Sequence, residues 1–169
     1  ASFRVGTDLT RNLNNSDKRT DINNIYSLNR IGTNETLEGG ASLTYGTEFS
    51  KIDNINSNKE ILGLKIANVF RLQENTKLPK NSRLGEKTSD FVGELHYSPN
   101  DIIKINYDFA IKNNLTEKNY EFLTTEFKVN KFLTTFKYLN ENNTANKESY
   151  LENTTAYNLS NSKNVSFST

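Results

Sequence analysis

The chain of 169 residues carries 21 basic and 20 acidic side chains, no cysteine, and hydrophobic residues at only 34% of its positions. With a mean hydropathy of −0.73 it falls below the apolar fraction of about 45–50% typical of globular domains, which excludes a large oily core. No run approaches the roughly 18 apolar residues of a membrane helix, the scattered charges form no nucleic-acid footprint, and cysteine-based metal or thiol chemistry is excluded.

Taken in chain order, the segments alternate apolar and polar residues with a period of two, as strands do when successive side chains point to opposite faces. The first, Phe3 to Leu9, is a weak case, followed by a long loop, Thr10 to Leu37. Ala41, Leu43, Tyr45 and Phe49 then oppose Ser42, Thr44, Gly46 and Glu48. After a short turn around Asn54 to Lys59, Leu62, Leu64, Ile66 and Phe70 oppose Gly63, Lys65 and Arg71. A second long loop, Gln73 to Lys87, leads to Phe91, Leu95 and Tyr97, which alternate with Val92, Glu94 and His96.

Beyond the tight Ser98-Pro99-Asn100-Asp101 comes the clearest strand, Ile102 to Lys112. Ile103, Ile105, Tyr107, Phe109 and Ile111 fall on one parity, and Lys104, Asn106, Asp108 and Lys112 on the other. A medium loop, Asn113 to Lys118, precedes Leu123, Thr125, Phe127 and Val129, opposed by Thr124, Glu126 and Lys128. The minimal turn Asn130-Lys131 leads to Phe132, Phe136 and Tyr138 against Leu133, Thr135 and Lys137. A loop, Asn140 to Lys147, and a turn, Ser160 to Lys163, bound weaker strands at Leu151 to Leu159 and Val165 to Phe167. About nine strands and no helix are expected, although asparagine at about one residue in six reads as disorder on composition alone.

Longer and shorter connections alternate along the chain. In an up-and-down antiparallel sheet every second connection lies at the same end, so this alternation sorts loops to one rim and turns to the other. Outer-membrane barrels have that asymmetry, and several strands here reach the 9–11 or so residues of a tilted bilayer crossing. The expected fold is all-β, an antiparallel up-and-down meander forming part of a large transmembrane β-barrel, with residues 1–169 as one partial domain and no separate second one. Starting at Ala1 without a methionine, the chain reads as a segment of a longer protein. On this reading Ile103, Ile105, Tyr107, Phe109, Ile111, Phe127 and Val129 face lipid. Glu94, His96, Lys104, Asn106, Asp108, Glu126 and Lys128 face a hydrated lumen, either lining a passage or pairing across strands as ordinary filling. A soluble sandwich or lipocalin-like binding barrel has the same period with the apolar face turned inward, and a diffusion porin shares the strands.

Catalytic signals are missing: His96 is the sole histidine and has no companion metal ligands, and no nucleophile elbow or phosphate loop is present. No enzyme activity, cofactor or metal is expected. Two loop segments are more particular than their surroundings. Ser27-Leu28-Asn29-Arg30 precedes Glu38-Gly39-Gly40 and the strand carrying Tyr45-Gly46. An Arg30–Glu38 ion pair would pin the returning limb of the loop, with Gly39 and Gly40 admitting a bulge or unusual dihedrals. The other is Phe70-Arg71, Leu78-Pro79, Ser82, Leu84-Gly85 and Ser89-Asp90-Phe91-Val92-Gly93, where Leu78 and Leu84 would fold inward across the rim and Pro79 would limit the loop's freedom.

These two segments resemble the C-terminal barrel of the LptD family of lipopolysaccharide-assembly proteins, formerly called organic solvent tolerance protein. The family's Leu-Asn-Arg, Glu-Gly-Gly and Tyr-Gly stretches are similar to Leu28-Asn29-Arg30, Glu38-Gly39-Gly40 and Tyr45-Gly46. Its Phe-Arg, Leu-Pro, Ser-x-Leu and Ser-Asp-x-Val-Gly run is similar to Phe70-Arg71, Leu78-Pro79, Ser82 to Leu84 and Ser89 to Gly93. The motif-bearing part covers Leu28 to Gly93. Where relatives often carry Asp-Arg before Glu-Gly-Gly, this chain has Glu35-Thr36, and Lys87-Thr88 replaces the basic pair common before Ser-Asp. The resemblance implies a non-enzymatic device of the Gram-negative outer membrane that inserts lipopolysaccharide into the outer leaflet. It implies as partners lipopolysaccharide, outer-membrane lipid, an LptE-like plug lipoprotein and an LptA-like periplasmic bridge acting through an N-terminal domain, and no nucleic acid. The lateral gate between first and last strands is expected outside these residues.

Overall fold

A computed structural model of the chain describes residues 1–7, 11–33, 38–53, 58–142, 147–160 and 163–169, the side chains of Ser160 and Lys163 excepted. Leu9, Thr10, Glu35, Thr36, Leu37 and parts of three connections named above, 54–57, 143–146 and 161–162, lie outside the described residues. The strands are β1 (Ser2–Gly6), β2 (Gly40–Asp53), β3 (Lys59–Arg71), β4 (Phe91–Tyr97), β5 (Ile103–Ile111), β6 (Lys118–Val129), β7 (Phe132–Asn142), β8 (Lys147–Ser160) and β9 (Lys163–Ser168). They form one nine-stranded sheet in the order β1 to β9. Every neighbouring pair is antiparallel. This is the up-and-down meander that the alternation in loop length anticipates. No helix among the described residues is long and apolar enough to cross a membrane, which leaves crossing by strands open.

Register shows how the period of two becomes two faces. Opposite residues share a face in an antiparallel pair, and Ile103 stands across from Phe127, Leu95 from Tyr107, Leu43 from Phe70 and Phe132 from Tyr157. These rows fuse into one apolar face, and among the described residues no loop packs into a core there. Phe127 is 39% exposed, Phe132 53%, Leu151 70% and Phe167 67%. Aromatics concentrate toward the short-turn end, where Phe132 and Tyr157 approach to 4.6 Å between ring centroids and Phe127 meets Phe136 edge-on at 6.4 Å. Polar intruders on this face find partners within it, as with the Thr134 and Thr155 hydroxyls at 3.2 Å.

The opposite face carries the charged rows. Lys65 lies 3.9 Å from Glu94 and 4.0 Å from Glu48, Lys104 stands across from Glu126, and His96 Nδ1 lies 2.7 Å from Asn106 Oδ1. Near the long-loop end this face turns apolar at Ala67, Val69, Val92 and Ala110, and the two long loops settle there. Ile25 and Ile31 of the first loop and Leu78 and Leu84 of the second join those four residues in one buried cluster, with Leu13, Ile22 and Tyr120 packed against it. The hydrophobic core is therefore a contact between loops and sheet on the polar side of the strands. Each Val, Leu or Ile side chain removed from water there contributes about 1.5–3 kcal/mol.

Candidate functional site

Two polar clusters fasten the loops to this seat. The first is built on Glu38, the residue two before β2. Because β1, β2 and β3 are neighbours, Arg4 on β1, Ser42 on β2 and Arg71 on β3 fall in one row on the polar face. Arg30, carried back by the first loop, lies over that row. Its Nε donates to Glu38 Oε2 at 2.5 Å, its Nη1 to Thr44 Oγ1 at 2.8 Å and its Nη2 to Ser42 Oγ at 2.9 Å. Arg71 Nη1 donates to Glu38 Oε1, and Arg71 Nη2 donates to the Gly39 carbonyl. Arg4 Nη1 adds a contact to Glu38 Oε2 at 3.1 Å. The Arg30–Glu38 ion pair expected from spacing is present, and Arg71 and Arg4 join it.

One carboxylate thus meets three guanidiniums, with the Arg30, Arg71 and Glu38 side chains each only 1% exposed. Buried like charges are tolerable only where dipoles and hydrogen bonds disperse them. Here the carbonyls of Ser27 and Gly39 and the hydroxyls of Ser42 and Thr44 accept what Glu38 cannot. Gly40 makes the geometry possible. It sits at φ +85°, and a Cβ there would stand 3.0 Å from Arg71 Nη2.

Burial pushes the Glu38 carboxyl up, but the hydrogen bond from Arg30 and the charges of Arg30, Arg71 and Arg4 outweigh it and hold the group below the usual carboxylate range. A carboxyl depressed in the folded state stabilises fully above its unfolded pKa, about 4.3, and loses that contribution as pH falls through the lower folded value. Hydrogen-exchange protection of residues 20–33 should therefore hold from neutral pH down to about 4.3 and fall below it. Protection already lost between neutral pH and about 5 would contradict the assignment.

The second cluster is built on Asp90, fully buried where β4 begins. Its Oδ1 accepts from Arg83 Nε at 2.7 Å, its Oδ2 from Asn119 Nδ2 at 2.6 Å, and its backbone amide donates to the Ser82 carbonyl at 3.0 Å. Asn119 reaches it because pairing slips between Ala110 and Ile111, leaving Asn119 as the extra residue of a bulge. Ser89 Oγ replaces a ladder acceptor by taking the Val69 N–H at 3.0 Å, and Ser82 Oγ takes the Thr20 N–H at 3.1 Å, joining the two loops. Ser89→Ala should cost about 1–3 kcal/mol by leaving that buried N–H unpaired. The check is amide exchange at Val69, expected to quicken selectively; an unchanged rate would refute the role.

Among the motif residues, Gly46 is a point of close approach between the first loop and the sheet, since a Cβ there would lie 2.6 Å from the Tyr26 hydroxyl. Asn29 sits in the loop, its Nδ2 donating to the Thr33 carbonyl at 2.8 Å. Tyr45 and Phe70 point to the apolar face, 40% and 42% exposed. Gly93 lies beneath the Phe109 ring across the β4–β5 pair, and Pro79 follows the buried Leu78. Glu94, His96, Lys104, Asn106, Asp108, Glu126 and Lys128, expected to face a lumen, share the polar face across β4 to β6, away from both clusters.

Sequence reasoning missed Arg4, Arg19, Arg83 and Asn119. Arg19 lies 3.5 Å over the Tyr120 ring and 3.1 Å from Glu141, carrying the first loop across the polar face as far as β7. Leu78 and Leu84, expected to fold inward and buried here, and the small or apolar residues on both parities at one strand end, Ile66-Ala67, Val69-Phe70, Phe91-Val92 and Phe109-Ala110, are the signals that this end is covered twice. No group of residues that could hold a metal occurs among the described residues.

The two clusters act as fixed fastenings, in which ion pairs and hydrogen bonds to Glu38 and Asp90 hold the long loops against the sheet. Compared with known proteins, the chain matches the family model described as LptD, LPS transport system D, over residues 8–168. A search of curated proteins finds no match.

Proposed function

The chain belongs to the LptD family, whose role is in lipopolysaccharide transport, and from that premise we propose that it forms part of the wall of the outer-membrane translocon that inserts lipopolysaccharide into the outer leaflet. The observation that carries this reading is the two-faced sheet: an exposed apolar face suited to acyl chains, and a charged face bordering an aqueous interior. Strands of 14, 13, 12, 11 and 14 residues for β2, β3, β6, β7 and β8 are long enough to cross a tilted hydrocarbon layer. Residues 1–169 are one stretch of barrel wall, closed by further strands, located in the outer membrane of a Gram-negative cell.

The short turns then lie on the periplasmic side and the clusters around Glu38 and Asp90 lie at the outer mouth. There the long loops lean over the lumen and narrow it, which speaks against a permanently open diffusion porin. Lipopolysaccharide is the cargo; an LptE-like plug lipoprotein inside the barrel and an LptA-like bridge feeding it are the protein partners. The chain's role is structural and conducting, without catalysis. Depleting the intact protein from its own bacterium tests the reading. Newly made lipopolysaccharide should disappear from the cell surface and accumulate inside. Unchanged surface delivery would overturn the proposal.

A further inference from the structure

On the apolar face one row of opposite residues changes character from end to end. It runs through Ile66, Gly93 and Phe109 on β3 to β5, then through Glu121, Asn140 and Ser149 on β6 to β8. Glu121 is the one carboxylate that the described residues of β4 to β8 place on this face. Its Oε1 accepts from the Tyr107 hydroxyl at 2.5 Å and from Lys118 Nζ at 2.7 Å, and its Oε2 from Asn140 Nδ2 at 3.4 Å. A carboxylate and an ammonium dissolved in hydrocarbon are costly even when paired. A charge-assisted cluster on an outward-facing row therefore belongs where polar groups and water begin.

Both borders of the oily band move in step across the sheet. At the loop end, apolar side chains continue to Phe70 on β3 and to the opposed Phe91 and Ile111 on β4 and β5, but stop at Leu123, Tyr138 and Leu151 on β6 to β8. Asn68, a polar residue inside the band, is fully buried and its Nδ2 donates to the Ser89 carbonyl at 2.8 Å. At the turn end the band stops at Leu62, Tyr97 and Ile103 on β3 to β5, where Lys59 Nζ meets Asp101 Oδ1 at 2.8 Å. On β6 to β8 it runs on to Val129, Phe132 and Tyr157. Followed along the rows, the band slides by about one residue per strand. With a rise of about 3.4 Å per residue and strands about 4.8 Å apart, that slope is a tilt of about 35–40°. Strands of membrane barrels tilt by about 35–45°, so a flat slab of hydrocarbon leaves this slanted footprint. We propose that the Glu121 cluster sits at the outer border between hydrocarbon and the polar layer of the bilayer, and that this border crosses the strand rows obliquely, high on β3 to β5 and low on β6 to β8. The inference rests on the membrane location proposed above and adds the depth at which each strand sits.

The test places a fluorophore on a single cysteine, Phe109→Cys or Ser149→Cys, in the intact protein reconstituted in phosphatidylcholine bilayers brominated at shallow or at deep acyl positions. The two positions share one row, three strands apart. On strands lying level with the membrane plane's normal they would sit at one depth; on the slope found here the Phe109 label lies about 8 Å deeper. The Ser149 label should be quenched chiefly by shallow bromines and the Phe109 label by deep ones. Equal depths, or a Ser149 label deeper than the Phe109 label, would overturn the oblique border while leaving the membrane location intact. Labels that no brominated chain reaches at either depth would overturn the inference together with the membrane reading on which it rests.

Discussion

Glu38→Gln should destabilise the loop-bearing end of the sheet by about 3–5 kcal/mol, because removing one member of a buried ionic group leaves the others uncompensated. The carboxamide keeps the shape and one acceptor but removes the one negative charge that the described residues place among the Arg4, Arg30 and Arg71 side chains. Two of those guanidiniums are as buried as Glu38 and cannot turn to water without breaking the contacts to Ser42, Thr44 and the Gly39 carbonyl. The loss should appear as accelerated exchange of residues 20–33 and early proteolysis of the first loop in the intact protein. Arg30→Met/Glu38→Leu/Arg71→Met, which removes the buried charges together, should recover most of the stability. A single variant within about 1 kcal/mol of the parent would show that the cluster does not hold the loop.

The second large effect concerns the faces of the strands. Phe109→Arg or Ile105→Arg should cost about 2–4 kcal/mol in a folding titration into lipid, the penalty of a cation near the bilayer midplane. Lys104→Ala and Glu126→Ala, one residue away on the other parity, should each change stability by less than about 1 kcal/mol. Equal penalties on both parities would mean that both faces are enclosed by protein.

The meander was legible because β5 alternates from Ile103 to Phe109, with Ala110 the one apolar residue on the polar parity, and because the connections differ in length by enough to sort themselves to two ends. Arg30 and Glu38 were legible as a pair because they stand only eight positions apart and glycines follow. Arg4 and Arg71 were not, since their convergence on Glu38 depends on which strands are neighbours and in what register. Arg19 meets Glu141 across 122 positions, a contact that exists only once the sheet places β7 beneath the first loop. Asn119 needed the bulge, which shifts its side chain relative to the simple period of two. Local alternation thus specifies strands and faces, whereas the fastening of the loops is a property of the assembled sheet.

The claim on which everything else depends is that the oily rows contact hydrocarbon and the charged rows border water. A fluorophore on a cysteine introduced singly at Ile105, Phe109 or Phe127, in the intact protein reconstituted in bilayers containing brominated lipid, reads this directly. Quenching by the brominated acyl chains at these positions, with labels at Lys104, Asp108 and Glu126 quenched only by aqueous iodide, is the predicted result. Labels at Ile105, Phe109 and Phe127 that neither quencher reaches would place those side chains in a sealed protein interior and contradict the account.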